Sequence, residues 1–368
     1  MLMHAQWRTE TLLTVEDEDG FLALEPLWRT LQTARERPSY YESFPWAWRA
    51  WRSAYRPFGY RLHIIVALGG ERGLVILPFV WRREGPFRVA RWLTTVFYEH
   101  GDALLDPGPE AERSLATAWD AAARRFTFLR IPVLRADARL WPYATAMRSR
   151  RATGVETASI DCREWPDWNA YIASRSRNLV KDMKQSARHL EKAGAPRVAV
   201  IGDEEQAVAA AAWIHARKLE WLTGGGHALE GFAQRKPFLF DIVRQALREG
   251  KLLLNELTVD GTRIAAQLAF REGERLDCAM IAWDPAWRRC GPGRTLCLET
   301  IRWAFDNGIA LVDLGPGTQD YKQRFASRTV ASLDDLIASR QPAGCMVLAA
   351  RYLWHRTQSA FRQPQPAA

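Results

Sequence analysis

RLDCAMIAWDPAWRRCGPGRTLCLETIRWAFDNGIALVDLG, Arg275 to Gly315, is the stretch whose reading decides the fold. RLDCAMIAW (275–283) is an apolar run of strand length, and the Gly-Pro-Gly turn at 291–293 opens a helix. That helix runs to about Asn307, where Gly308 provides the C-terminal cap, and ALVDLG (310–315) reads as a short buried strand. Strand, helix, strand is a crossover that places the second strand parallel to the first. Two further strands precede it, LLLNELTV (252–259) and RIAAQLAF (263–270), joined by the Asp260-Gly261 hairpin turn, with Gly273 serving the next turn. An antiparallel meander followed by one crossover predicts an α+β layer architecture, not a doubly wound sheet.

Working outward, helices are expected over 174–193, stopped by Gly194, over 203–221, and over 232–249, closed by Gly250. The first half shows the same grammar. Leu22–Leu31 and Trp46–Tyr55 have helical spacing, with Ser43 as an N-cap, and RLHIIVAL (61–68) and GLVILPFVW (73–81) are β-rich. Pro78 suggests an edge or strand-end position. A polar loop, YEHGDALLDPGPE (98–110), surrounds a short strand. It is followed by a helix near 110–125 and strands near 126–134 and 155–160. The division expected is a degenerate N-terminal domain at 1–160, a ligand-binding domain at 161–342, and a C-terminal amphipathic helix and tail at 343–368.

At 368 residues the chain is long enough for two cores without staples. Five scattered cysteines with no Cys-x-x-Cys pair argue against a disulfide scaffold, and seven dispersed histidines argue against a metal site. No Gly-x-Ser-x-Gly elbow, Walker loop or dinucleotide fingerprint is present. The start MLMHAQWRTETLL lacks a secretory pattern, so the expected location is cytoplasmic. Lys plus Arg is 51 against 42 acids, a formal net charge of +9; seven are Lys, leaving 44 Arg. That balance favours anionic partners, phosphorylated cofactors above all. A basic stripe, Arg177, Lys181, Lys184, Arg188 and Lys192, is either a solvated face or a guide for anions. The tail 343–361 carries Arg351 and Arg356 but no acid; it either packs on the core or touches the inner face of a membrane.

The chemistry centres on Arg288-Arg289-Cys290-Gly291-Pro292-Gly293. Glycines let the backbone approach a ligand, the following helix turns free N–H groups outward, and Arg288, Arg289 and Arg294 add charge for a pyrophosphate. Arg-x-x-Gly-x-Gly after a strand resembles the acyl-CoA loop of the GNAT superfamily of N-acyltransferases. Asp313-Leu-Gly-Pro-Gly-Thr-Gln-Asp-Tyr321-Lys322-Gln-Arg-Phe325 is similar to the terminal signature of its CelD-like branch, which is related to Fem-type transferases and built from tandem GNAT-like domains. The similarity extends over Phe44–Trp51, Leu77-Pro78, Ser174–Lys192 and His215–Phe325.

The resemblance implies tandem GNAT-like domains, acyl-CoA as co-substrate, an amine acceptor, and neither metal nor nucleic acid. It further implies a carbonyl polarised by backbone N–H groups around Ile281–Trp283, with Trp283 beside the cofactor, and Tyr321 as the acid for the leaving thiolate. Asp313 is an orienting carboxylate, Lys322 a contact for phosphate or oxyanion, and His215 a candidate base. His100, Tyr98 and Glu99 form the candidate acceptor contact. Lipid or sphingoid amines and envelope amino sugars are the acceptors considered. The competing readings are an aminoacyl-tRNA-dependent transferase and a non-catalytic scaffold for an envelope polymer machine.

Overall fold

The computed structural model describes residues 10–69, 72–147, 149–224, 231–317 and 320–350. The first half contains β1 (Glu10–Val15), α1 (Glu18–Ala23), α2 (Glu25–Thr33), α3 (Phe44–Arg49), β2 (Arg61–Gly69), β3 (Arg72–Glu84), β4 (Phe87–Trp92) and β5 (Leu104–Leu105). It continues with α4 (Pro109–Arg125), β6 (Phe128–Arg135), α5 (Trp141–Thr145) and β7 (Ser149–Asp161). The second half contains α6 (Trp168–Ala173), α7 (Arg177–Ala193), β8 (Pro196–Val200), α8 (Glu204–Gly224), α9 (Lys236–Arg248), β9 (Leu252–Val259) and β10 (Thr262–Glu272). It ends with β11 (Arg275–Trp283), α10 (Pro292–Asp306), β12 (Leu311–Pro316), α11 (Asp320–Phe325) and β13 (Arg328–Ser339), before a helix over 342–350.

The meander and crossover expected for the second half form as read. β9, β10 and β11 pair antiparallel, α10 crosses over, and β12 lies parallel to β11. The first half repeats the plan, with β2, β3 and β4 antiparallel, α4 as crossover, and β6 parallel to β4. All described strands join one sheet in the order β1-β2-β3-β4-β6-β13-β7-β12-β11-β10-β9-β8, with β5 attached to β3. The halves exchange their last strands. β7, from the first half, pairs with β12, whereas β13, from the end of the second, pairs with β6.

Four strands carry no signal in the sequence reading: β1, β4, β8 and β13. β8 is almost wholly exposed and β1 is an edge strand, so neither needs an apolar run. β13 carries polar residues, and its position depends on distant partners. Pro78 corrects the expectation of an edge position. It sits inside β3, but β4 begins pairing only at Phe79 and β5 stops at Ile76, so the missing N–H falls in the gap.

Aromatic packing joins the halves. Trp46 meets Phe238 and Phe270 edge-on at 5.1 and 5.2 Å and donates its indole N–H to the Thr94 carbonyl at 2.7 Å. Tyr40 stacks on Phe270 at 5.4 Å and bonds Glu249 at 2.7 Å. Each such ring pair is worth ~0.5–1.5 kcal/mol beyond burial. Val347 and Leu348 of the final helix pack beside Val89 and Phe128. Arg351, Arg356 and the rest of the expected tail helix lie outside the described residues, among which no helix is long and apolar enough to cross a membrane.

Candidate active site

β11 and β12 run in parallel register from Arg275↔Leu311 to Asp277↔Asp313, and their pairing ends there. A bulge falls at the same place. β10 matches Leu268 to Met280 but Ala269 to Cys278, leaving Ala279 as the extra residue. A bulge bends the strand and removes backbone groups from the ladder. Cys278, Ala279 and Met280 on one side, and Leu314–Gly317 on the other, therefore wall a cleft of about 840 Å³. The first half supplies the facing wall with Tyr98, Glu99 and His100. α8 adds Lys218, Trp221 and Leu222, and Phe232 and Arg235 close the side.

The floor is a buried ionic network. Arg275 bonds Asp277 at 2.7 Å, Asp313 at 2.8 Å and His100 Nε2 at 3.1 Å. Arg135 holds Asp313 from the other side, and the Gly315 N–H donates to it at 2.8 Å. Ser39 donates to the far oxygen of Asp277 at 2.7 Å. Burial alone would raise the Asp313 carboxyl, but Arg135 and Arg275 outweigh it and hold the group well below the usual carboxylate range. Asp313 is thus a clamped anion that orients its neighbours and not a base. His100 Nε2 accepts from Arg275, and burial with that guanidinium keeps the ring neutral, leaving its proton on Nδ1. His100, Asp277 and Asp313 have the spacing of a metal-ligand set. Arg275 bonds all three, so a guanidinium occupies the position a cation would need.

Glu99 is a carboxyl on the cleft wall whose proton affinity burial raises. Its Oε2 accepts from the Val96 and Phe97 N–H groups at 2.9 and 2.7 Å, and burial nevertheless pushes its pKa up to about 7. Gly101 makes this loop possible, because a Cβ there would stand 2.1 Å from the Trp92 indole. Among the described residues the nearby Thr94 and Thr95 hydroxyls are buried without a hydrogen-bond partner, and Thr95 lines the cleft. Tyr98 lies beside Asp334; burial and that hydrogen bond raise its phenol.

Two lysines face the same space. Burial pulls Lys218 down to about 8, assisted by Lys322. Lys322 is also lowered by burial, and its ammonium donates to the Pro316 carbonyl at 2.9 Å. The sequence gives Lys218 no motif of its own; its position three residues after His215 on α8 is the available signal.

Several expectations need correction. His215 does not open onto the cleft. It is 4% exposed, stacks on Phe232 at 4.7 Å, and donates from Nε2 to the Phe232 carbonyl at 3.0 Å. It holds the cleft wall instead. Tyr321 packs edge-on against Phe325 at 5.8 Å within the second-half core, and the cleft wall carries Lys322 in its place. Burial raises the Tyr321 phenol further. The backbone facing the cleft belongs to Cys278–Met280, not Ile281–Trp283, because the bulge falls at Ala279. Arg294 stays at the loop, its Nη2 3.1 Å from where a Cβ on Gly291 would stand, and there it bonds Ser186 on α7 at 2.7 Å.

Arg288 and Arg289 are exposed at the loop. Gly291 has φ +59, and Gly293 lies where a Cβ would be 2.8 Å from Trp283, so both glycines are required by the packing.

Residues 177–323 match the family model described as acetyltransferase (GNAT) domain. No curated protein matches the chain. Among solved structures, FemX aligns with a TM-score of 0.60 at 9% identity, covering 88% of this chain and 98% of that one. A tandem GNAT protein from the clavulanic acid biosynthesis pathway aligns at 0.52 and 14%, covering 91% and 99%. The C-terminal domain of a putative lysylphosphatidylglycerol synthetase from Agrobacterium fabrum aligns at 0.52 and 11%, covering 90% and 96%. At these identities the likeness is one of fold. The chain has a GNAT fold of the tandem kind, carries an acetyltransferase (GNAT) domain over residues 177–323, and is an acyltransferase.

Proposed function

We propose that the chain transfers an acyl group directly from a CoA thioester to the nitrogen of an amine. The observation that carries this reading is the Ala279 bulge at the point where β11 leaves β12, opening onto the cleft that Glu99 enters from the first half. The pantetheine arm lies along the freed edge of β11, and Arg288, Arg289 and the N-terminus of α10 take the pyrophosphate. Backbone amides at the bulge polarise the thioester carbonyl. The amine nitrogen attacks that carbon, its C–N bond forms, and its proton passes to the Glu99 carboxylate. The C–S bond breaks, and the thiolate takes a proton from the Lys322 ammonium, a better donor for being pulled down by burial.

The apolar wall formed by Phe97, Trp221, Leu222, Phe232 and Met280 suits a hydrocarbon chain on donor or acceptor. A lipid or sphingoid-type amine is therefore favoured over an envelope amino sugar.

Calorimetry with CoA, acetyl-CoA and palmitoyl-CoA tests the reading, with Ala279→Phe as the filled-cleft control. Saturable binding that the variant loses without a change in melting temperature supports it. Absence of binding to all three overturns it in favour of an aminoacyl-tRNA donor.

A further inference from the structure

α7 carries Arg177, Lys181, Lys184, Arg188 and Lys192 at three- and four-residue spacing, a single row along one face. With Arg175 they line a groove of about 1010 Å³ against α6, and no acidic residue lines it. The acid nearest in sequence to the middle of the row, Asp182, is turned towards Arg294 and Arg324. Among the described residues these five cations form no ion pair. Exposed arginines elsewhere do find acids: Arg29 pairs with Glu25 and Arg248 with Glu204.

The row adjoins the proposed donor entrance. His189 of α7 donates to the Arg289 carbonyl at 3.1 Å, and Ser186 lies 2.9 Å from where a Cβ on Gly291 would stand. The donor's phosphate would therefore enter beside this groove.

Length decides what the row can serve. Arg177 and Lys192 are 15 residue steps apart on α7, or ~22 Å of helix at 1.5 Å per residue. The 3′-phosphate of CoA is a single group, and the exposed Arg288 and Arg289 at the loop are enough cations for it without the row. Five unpaired cations in line match an extended acidic surface. A single-stranded RNA would also need faces on which bases can stack, and no Phe, Tyr or Trp lines the groove.

We propose that α7 docks a small acidic carrier protein that presents its acyl group on a 4′-phosphopantetheine arm. This rests on the acyl-transfer reading above and names a second donor for the same cleft. The arm passes the 288–293 loop and lays its thioester against β11. Transfer forms the C–N bond and breaks C–S as before, and the protonated thiol leaves on the carrier.

The test is fluorescence anisotropy with a labelled acyl-carrier protein in apo and palmitoylated forms, alongside calorimetry with palmitoyl-CoA. The proteins compared are the full chain and its Lys181→Glu/Lys184→Glu/Arg188→Glu variant, whose folding is checked by its melting temperature. The palmitoylated carrier should bind more tightly than the apo form. Its affinity should fall steeply with salt, and the charge reversal should weaken it by about tenfold or more, since contacts of this kind govern encounter and salt response. Palmitoyl-CoA binding should stay within ~3-fold, because the loop and cleft are untouched.

Equal losses for carrier and palmitoyl-CoA would make the groove the nucleotide's own site and overturn the proposal. So would a carrier affinity no better than that of an equally acidic protein without an arm, or tighter binding of a duplex RNA to the same face. If neither carrier nor palmitoyl-CoA binds the unmodified chain, the acyl-transfer reading itself fails. A failed triple variant can be replaced by the single Lys184→Glu, for which a smaller shift in the same direction is expected.

Discussion

Replacing Glu99 with glutamine isolates one proton at the centre of the proposed chemistry. Oε2 alone accepts both backbone N–H groups, from Val96 and Phe97. A glutamine carbonyl oxygen can take the same two bonds, so the substitution removes charge without dismantling the loop. Burial pushes the Glu99 pKa from 4.5 up to about 7. The folded state therefore binds more protons here than the unfolded chain between these values, and stability falls as pH rises through that window. This is the reverse of the ordinary salt-bridged carboxylate. A rise of roughly 2.5 at 1.36 kcal/mol per unit gives an upper bound of about 3 kcal/mol lost by pH 8.

The Glu99→Gln variant loses no such energy, because its amide does not titrate. Chemical denaturation at pH 5 and pH 8 should therefore show the variant gaining up to about 2.5 kcal/mol relative to the parent between the two, since pH 5 already lies inside the window. Once an amine acceptor is in hand, the parent's kcat/KM should climb through pH 7. The variant should lose that limb and ~10²–10⁴-fold in rate. Equal stability differences at both pH values would refute the burial argument, and an unchanged pH–rate profile would refute the role as base.

Asp313→Ala leaves Arg135 and Arg275 without their shared carboxylate. Breaking a buried pair costs about 3–5 kcal/mol, and ~2.1 cal/mol/K per residue over this chain converts that to a melting-temperature drop of about 4–6 °C, measured by calorimetric scan. Lys322→Met should lower the rate of thioester cleavage while leaving palmitoyl-CoA affinity within ~3-fold, because the residue is assigned to the leaving thiolate; a loss confined to binding would reassign it to the phosphate. His215→Ala should lower the melting temperature by removing the Phe232 stack and hydrogen bond, with the pH–rate profile intact; disappearance of a limb would restore it as a base.

The meander-and-crossover plan of the second half was legible along the chain because its signals are local. Asp260-Gly261 sets a hairpin, Gly291 and Gly293 open a helix, and apolar runs mark β9 to β12 whatever surrounds them. The Arg288–Gly293 loop and the Asp313–Phe325 stretch stood out for the same reason, each being a run of adjacent residues. What escaped depends on neighbours far away in sequence. β13 is a polar strand whose place is set by β6 and β7, and Pro78 is tolerated only because two partner strands stop on either side of it.

The site divides in the same way. Residue types along the sequence supplied the candidates, Glu99, His100, His215, Asp313, Tyr321 and Lys322. Only tertiary structure sorted them, since it turned His215 into a wall support and gave Asp313 to two arginines. It also left Glu99 and Lys218 with displaced proton affinities. Turn chemistry and periodicity are properties of a few adjacent residues, whereas desolvation and charge pairing are sums over groups that only folding brings together.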